Sequence, residues 1–372
     1  MNKIQFDNLI KPLTKIYDGL ELELIELIYE RLNGYSSVSG SLEWYLEKLN
    51  DLGVIDKKML KIMKKDKNKI SKILNNIVEK ASNNIEDLDL LTNYYKEGKI
   101  DINPNKLPKS IAINNIVREA IKDTDNILNL INTKAIEGAK ESYKNILNKA
   151  YIETTSGIYT YQESIRKAIN DMAKEGIKVV NYESGKRISI EAAVRRDIVT
   201  RVNKLVGDCE IEHAKQLGTN LMYVDQHLGA RIRTKYTKHD YEAHAEWQGK
   251  KYMIEGSNEK YDNLYEKTGY GEMLGLKGIN CYHNMRPTWE WEKIPNRYDE
   301  IDNALMNEKY QKQRETERKI RYLKRERLIA QKQDDVEQLE NINKKINDVS
   351  KEYNKWLKDN NLTRDYSREY VV

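Results

Sequence analysis

All five histidines (His213, His227, His239, His244, His283) and both cysteines (Cys209, Cys281) fall between positions 209 and 283. That window is about a fifth of the 372-residue chain. Imidazole and thiol are the soft metal ligands and the usual proton-transfer groups, so the specialised chemistry is confined to one segment. Four of these residues are candidates to converge on a metal. His227 follows the strand-like run Leu221–Val224, and His244 precedes Trp247. Cys281 and His283 would leave the same face of an extended stretch. Zinc is the metal that such a nitrogen and sulfur set would take. The spacing lacks the paired Cys-x-x-Cys of a zinc knuckle, so a second arrangement stays open, in which these groups hydrogen-bond backbone and carboxylates around a loop-rich core. His213 reads as a mid-helix surface or packing residue. His239 reads as solvent-facing, in a basic insert with Arg231, Arg233, Lys235 and Lys238.

Hydrolytic chemistry would need a metal-bound water, or Cys281 paired with His283 or His244 and a carboxylate such as Glu246. The chain contains no His-Glu-x-x-His, no Gly-x-Ser-x-Gly and no P-loop. The sequence therefore points away from an enzyme, with a metal-dependent hydrolase or nuclease as the alternative.

A second constellation is Arg314, Arg318, Arg321 and Arg325, spaced i, i+4, i+7 and i+11 and flanked by Lys312, Lys319, Lys324 and Arg327. On a helix these four make one stripe that suits phosphates or an acidic partner. The plainer reading is a solvated helix supported by the i,i+4 pairs Glu315 with Lys319 and Glu317 with Arg321.

The elements that must position these groups are mostly helical. Charged residues make up 33% of the chain and hydrophobic ones 39%, which suits a helix-rich globular protein with a thin core. The 64 basic against 59 acidic residues leave +5, too mild to demand nucleic acid. No secretory leader and no apolar run of membrane-spanning length is visible, and two cysteines 72 positions apart make no disulfide framework. These features predict a chain made and kept in the cytosol, with no membrane partner.

Apolar residues from Leu13 to Leu32 follow a 3.6-residue period behind Pro12, and shorter periods recur at Leu42 to Leu52, Leu60 to Met63 and Ile70 to Ile77. Pro104 and Pro108 break the pattern at 101–109. Thr160 and Glu163 spell a capping box, with Gly176 where that helix should end. A strand over 177–180, a turn at Ser184-Gly185, a helix from Ile190 to Gln216 and a strand over Leu221–Val224 follow. Val336, Leu339, Ile342, Ile346, Val349, Tyr353 and Trp356 repeat like heptads and call for a partner helix, for which 301–333 is nearest. The fold class predicted is mostly α with a small α+β core. It divides into a helical N-terminal module (1–107), a helical connector (108–175), a central α+β domain (176–298) and a charged C-terminal helical hairpin (299–372).

Five motifs in order, Gly185-Lys-Arg-Ile-Ser-Ile-Glu-Ala-Ala-Val-Arg-Arg196, His227-Leu-Gly-Ala-Arg231, His244-Ala-Glu-Trp-Gln-Gly-Lys250, Gly275-Leu-Lys-Gly-Ile-Asn-Cys-Tyr-His283 and Gln313-Arg-Glu-Thr-Glu-Arg-Lys-Ile-Arg321, resemble the tailed-phage minor capsid protein 2 family, which looks related to Mu F-like head morphogenesis proteins. Glu43-Trp44 and Lys48-Leu-Asn-Asp-Leu-Gly53 are similar to the family's N-terminal part, so the likeness spans nearly the whole chain. The resemblance implies a minor head component that associates with the portal and other head proteins during procapsid assembly in the host cytoplasm and is packaged inside the head. It also implies that Arg231, Trp247, Gln248, Gly249, Gly278 and Asn280 recur beside His227, His244, Cys281 and His283. Packaged DNA is a further partner that the basic stripe would suit. A cytosolic nucleic-acid-binding protein without a capsid is the remaining alternative.

Overall fold

The computed structural model describes residues 3–33, 41–180, 187–366 and 368–371, so the turn expected at Ser184-Gly185 lies outside the described residues. The helices before the histidine window are α1 (Lys3–Asn33), α2 (Ser41–Asn50), α3 (Leu52–Lys64), α4 (Lys67–Ser82), α5 (Leu88–Lys96), α6 (Ile111–Thr155) and α7 (Tyr161–Glu175). Strands β1 (Lys178–Val180) and β2 (Arg187–Ser189) lead into α8 (Ile190–Gln216). Then come β3 (Leu221–Val224), α9 (His244–Trp247), β4 (Lys250–Met253), α10 (Leu264–Thr268), β5 (Met285–Thr288), α11 (Glu300–Lys332) and α12 (Val336–Asp359). The chain is mostly α with a small α+β core, as its periodicity predicts.

Local signals held where they were strongest. Thr160 caps α7 by accepting from the Glu163 N–H at 3.2 Å while the Glu163 carboxylate accepts from the Thr160 N–H at 2.9 Å, and Gly176 (φ +75°) ends the helix. The helix expected to begin at Pro12 instead starts at Lys3 and carries Pro12 inside it. A single proline removes one N–H from the ladder, and a turn backed by buried Leu13, Tyr17 and Leu20 tolerates the loss. Gly53 does not break a helix either, since it lies inside α3, whereas a turn at Lys65-Asp66 within the Lys-rich stretch 61–69 separates α3 from α4.

Two compact units share the chain in interleaved stretches. One is built from Met1–Ile10, Ser71–Asn126 and Arg196–Lys312, the other from Lys11–Ile70, Ile127–Arg195 and Gln313–Val372. This partition follows spatial contact, whereas the four consecutive segments follow composition. The unit boundaries fall inside α1, α4, α6, α8 and α11, where no change of composition marks them.

In the first unit β3 is the central strand of a three-stranded antiparallel sheet of order β4-β3-β5, with Val224 opposite Lys250 on one side and Met285 on the other. All four β3 residues are buried, which explains a continuous apolar run instead of an alternating one. Met222, Val224, Tyr252 and Met285 from the sheet pack with Ile211 and Ala214 of α8 and with Trp247, Leu276 and Cys281. Pro287 is admissible in β5 because that strand lies at the sheet edge.

Among the described residues, the second unit is helical apart from the β1–β2 pair. Trp44 of α2 packs on Tyr161 of α7 with ring centroids 4.2 Å apart. The expected hairpin is present: Ile320 meets Tyr353 and Leu357, and Ala330 meets Ile342 and Ile346, with Leu323, Leu339, Val349 and Trp356 around them. Only the first residue of the heptad seam, Val336, is exposed.

Candidate functional site

The histidine window folds around the end of β3. Asp225 N–H donates to the Asn284 carbonyl at 3.0 Å and the Asn284 N–H donates back to the Asp225 carboxylate at 2.8 Å, so the segment leaving β3 is pinned beside the one entering β5. This lock brings His227 and His283, distant in sequence, into a ring stack with centroids 4.3 Å apart. His244, opening α9, sets its ring edge-on to His283 at 5.4 Å, and Trp247 closes over His283 at 4.8 Å. Cys281 Sγ lies 3.6 Å from His283 Nδ1. His244, Cys281 and His283 each offer a donor atom within 4.8 Å of the other two. They are 2%, 0% and 1% exposed, so neither substrate nor bulk water reaches the thiol without opening the loop. His227, expected as a fourth ligand, is not in that set of three and packs against its outer ring.

Hydrogen bonds fix the protonation of each ring. Gln248 Oε1 accepts from the His227 backbone N–H at 3.0 Å, which orients the amide and makes His283 Nε2, 2.9 Å from the same oxygen, a donor. His244 Nε2 lies 2.9 Å from the Leu274 carbonyl and His227 Nδ1 3.1 Å from the Leu228 carbonyl, both of which can only accept. His244 and His283 thus each commit one nitrogen and keep a lone pair on the other. Burial, helped by Arg231 and His227, pushes His244 down to about 3, and burial holds His283 well below the usual imidazole range, so both rings are neutral at pH 7. Burial raises the Cys281 thiol, while N–H groups of His283 and Lys277 and the Lys277 ammonium favour its thiolate.

The residues that the family resemblance implied surround this cluster. Arg231 donates to the Leu274 carbonyl at 3.0 Å and the Ile279 carbonyl at 2.7 Å, tying down the loop that carries Cys281. Trp247 Nε1 donates to Tyr241 O at 2.8 Å, and Gly249 N–H to Val224 O at 3.1 Å. A side chain at Gly278 would collide with the Met273 carbonyl, and Asn280 takes a left-handed conformation (φ +58°) just before Cys281. Sequence reasoning missed the part played by Gln248 as a tautomer lock and by Lys277, buried beside Cys281. A glutamine between two histidine-bearing segments was the available signal. His213 is buried, 3.8 Å from Glu210, and His239 is exposed and stacked on Tyr241. Glu246 is held at the surface by Arg233 at 2.7 Å.

The arginine stripe is one helical face but not one environment, and this corrects the expectation of four phosphate-facing guanidiniums. Arg325 is 1% exposed and donates to Asp18 and Glu21, each at 2.7 Å. Arg321 is bound to Asp18 and Glu191, each at 2.8 Å. Of the four, only Arg318 is exposed, and Arg314 is half-buried. Three carboxylates within reach of the C-terminal half of the stripe outcompete water for it, because a buried guanidinium must be paired.

With the geometry in place, comparison with known proteins supplies the context. A family model described as phage minor capsid protein 2 matches residues 1–358. The chain belongs to the phage minor capsid protein 2 family. This minor capsid family member is 26% identical over 367 residues to a structural protein of Lactococcus phage LL-H, covering 94% of each chain. It is also 32% identical over 118 residues to a structural protein of Lactococcus phage mv4, covering 31% of this chain and 95% of that one. No solved structure gives a significant match. Among the described residues no helix is long and apolar enough to cross a membrane.

Proposed function

We propose that this phage structural protein is an assembly component of the head that docks on the portal, is enclosed in the particle, and acts by binding rather than by catalysis. End-to-end alignment with a phage structural protein over 94% of both chains is the observation that carries the reading, since it extends to every segment of the chain and not to one grafted domain. The buried ligand cluster agrees with a structural role: a catalytic thiol or metal needs a path for substrate, and Cys281 is 0% exposed. A docking face is available on α2, where Leu42 and Leu46, one helical turn apart, are 54% and 48% exposed. Head proteins, the portal first among them, are the partners proposed; the basic stripe adds little for packaged DNA, because Arg321 and Arg325 are already paired.

Full-length protein co-expressed with the portal of its phage should co-elute in size-exclusion chromatography, and Leu42→Glu with Leu46→Glu should weaken the complex at least tenfold. Protease added to intact virions should leave the protein uncut until the heads are opened. Separate elution from the portal, or cleavage in intact particles, overturns the corresponding half of the proposal.

A further inference from the structure

We propose that His244, Cys281 and His283 bind one zinc ion, with a water in the fourth position, as a buried structural site that fixes the loop from Gly269 to His283 onto the sheet. The inference is independent of the assembly role.

Three observations carry it. The first is distance. In a tetrahedral site with Zn–S of about 2.3 Å and Zn–N of about 2.0–2.1 Å, the S···N edge is about 3.6 Å and the N···N edge about 3.3 Å. Cys281 Sγ and His283 Nδ1 are already 3.6 Å apart, and all three donor atoms lie within 4.8 Å of one another.

The second is the outer shell. Zinc-binding imidazoles normally donate their other N–H to a carbonyl or carboxylate, which sets the tautomer and aims the lone pair. His244 donates to the Leu274 carbonyl and His283 to the Gln248 side-chain carbonyl, and those acceptors are in turn held by Arg231 and by the His227 backbone.

The third is the polarity of the interior. Two neutral rings and a thiol in an apolar core beside Trp247 and Leu276 give up apolar contact, and although each ring satisfies one nitrogen at Leu274 or Gln248, the thiol meets the rings only through the long 3.6 Å contact to His283 Nδ1. Metal binding removes that cost. The thiol proton passes to solvent as the sulfur–zinc bond forms, and the rings, already neutral, need lose none.

The test uses full-length protein purified without chelator. Elemental analysis should give about one zinc per chain, and protein stripped by EDTA and then titrated with Co(II) should develop a thiolate-to-cobalt charge-transfer band at about one equivalent. Cys281→Ser should abolish the band and Cys209→Ser, in α8, should retain it. If Cys281→Ser does not fold, the wild-type titration and Cys209→Ser still decide. Zinc below about 0.2 per chain even after zinc is supplied, together with no charge-transfer band, overturns the site. So does a band that disappears in Cys209→Ser.

Discussion

Each of the two units buries a polar cluster, and the two clusters are opposites. In the helical unit Asp18, Glu21 and Glu191 face Arg195, Arg321 and Arg325, three carboxylates against three guanidiniums. The carboxylates are well occupied: the remaining Glu21 oxygen accepts the Ile177 N–H at 2.8 Å, just before β1. In the sheet-bearing unit, which also buries the Arg286–Glu292 ion pair, the contrasting cluster is His244, Cys281 and His283, with both rings neutral and Cys281 Sγ 3.6 Å from His283 Nδ1. Burial of polar atoms alone therefore does not mark a site. A cluster balanced in charge specifies how helices dock, whereas a neutral cluster rich in soft donors is suited to something that the chain does not itself supply.

Breaking the first cluster should have the largest effect. Arg325→Ala leaves Asp18 and Glu21 facing each other at depth, and the expected loss is about 3–5 kcal/mol, read as a shift of the urea or thermal midpoint of the full-length protein. A loss below about 1 kcal/mol would mean that the carboxylates repair themselves with solvent. Gly176→Ala comes next. Its Cβ would sit 2.5 Å from Glu21 Oε1 and 2.7 Å from Arg325 Nη1, on a backbone held at φ +75°, so both space and conformation oppose it, by about 1–3 kcal/mol. Gly53→Ala, whose Cβ would meet nothing within 4 Å in α3, is the control and should be neutral or slightly stabilising.

Acid sharpens the contrast. Burial raises the Glu191 carboxyl, but Arg321 and Arg195 outweigh it and hold the group down to about 2. Its folded value lies below its unfolded one, so it contributes stability above about pH 4.5 that is lost as pH falls toward 2. Glu21 has the opposite sign: burial raises it despite Arg325, so its ionised form costs stability that protonation returns. Thermal melts between pH 5 and 2.5 should fall steeply for the wild type and less steeply for Glu191→Gln, which starts lower at pH 7. Parallel curves would remove Glu191 from the acid response.

How much of this was legible in sequence depends on how local each cause is. The capping box at Thr160, the stop at Gly176, helix α8 and strand β3 depend on neighbouring residues and were readable to the residue. Strands β4 and β5 were not, because Lys-Lys-Tyr-Met and Met-Arg-Pro-Thr neither alternate nor avoid proline, and only pairing with β3 makes them strands. The soft ligands were readable as a population, since they crowd one window. Their arrangement rests on the Asp225–Asn284 lock and on Gln248, which no spacing rule exposes. The arginine stripe shows the limit most sharply. Its helical face was predicted from spacing, but the carboxylates which claim Arg321 and Arg325 come from Asp18 and Glu21, some 300 positions earlier.

The smallest expected effect follows from that division. Arg318 is exposed, so Arg318→Gln should change stability by less than about 0.5 kcal/mol. If the stripe met DNA as a unit, neutralising three or four phosphates, the slope of log K against log salt would be about −3, and removing Arg318 together with Arg321 would cost about two units of slope. The folded chain permits less. Arg321 is held by Asp18 and Glu191, and transferring its charge to a phosphate would abandon two carboxylates in a buried cluster. Any binding to duplex DNA should therefore show a slope nearer −1 that Arg318→Gln alone removes, while Arg321→Gln lowers the melting temperature instead. A slope of −3 that responds to Arg321→Gln at unchanged stability would mean that the cluster opens to bind, and the contrast between a closed ionic core and an unfilled soft-ligand core would then fail.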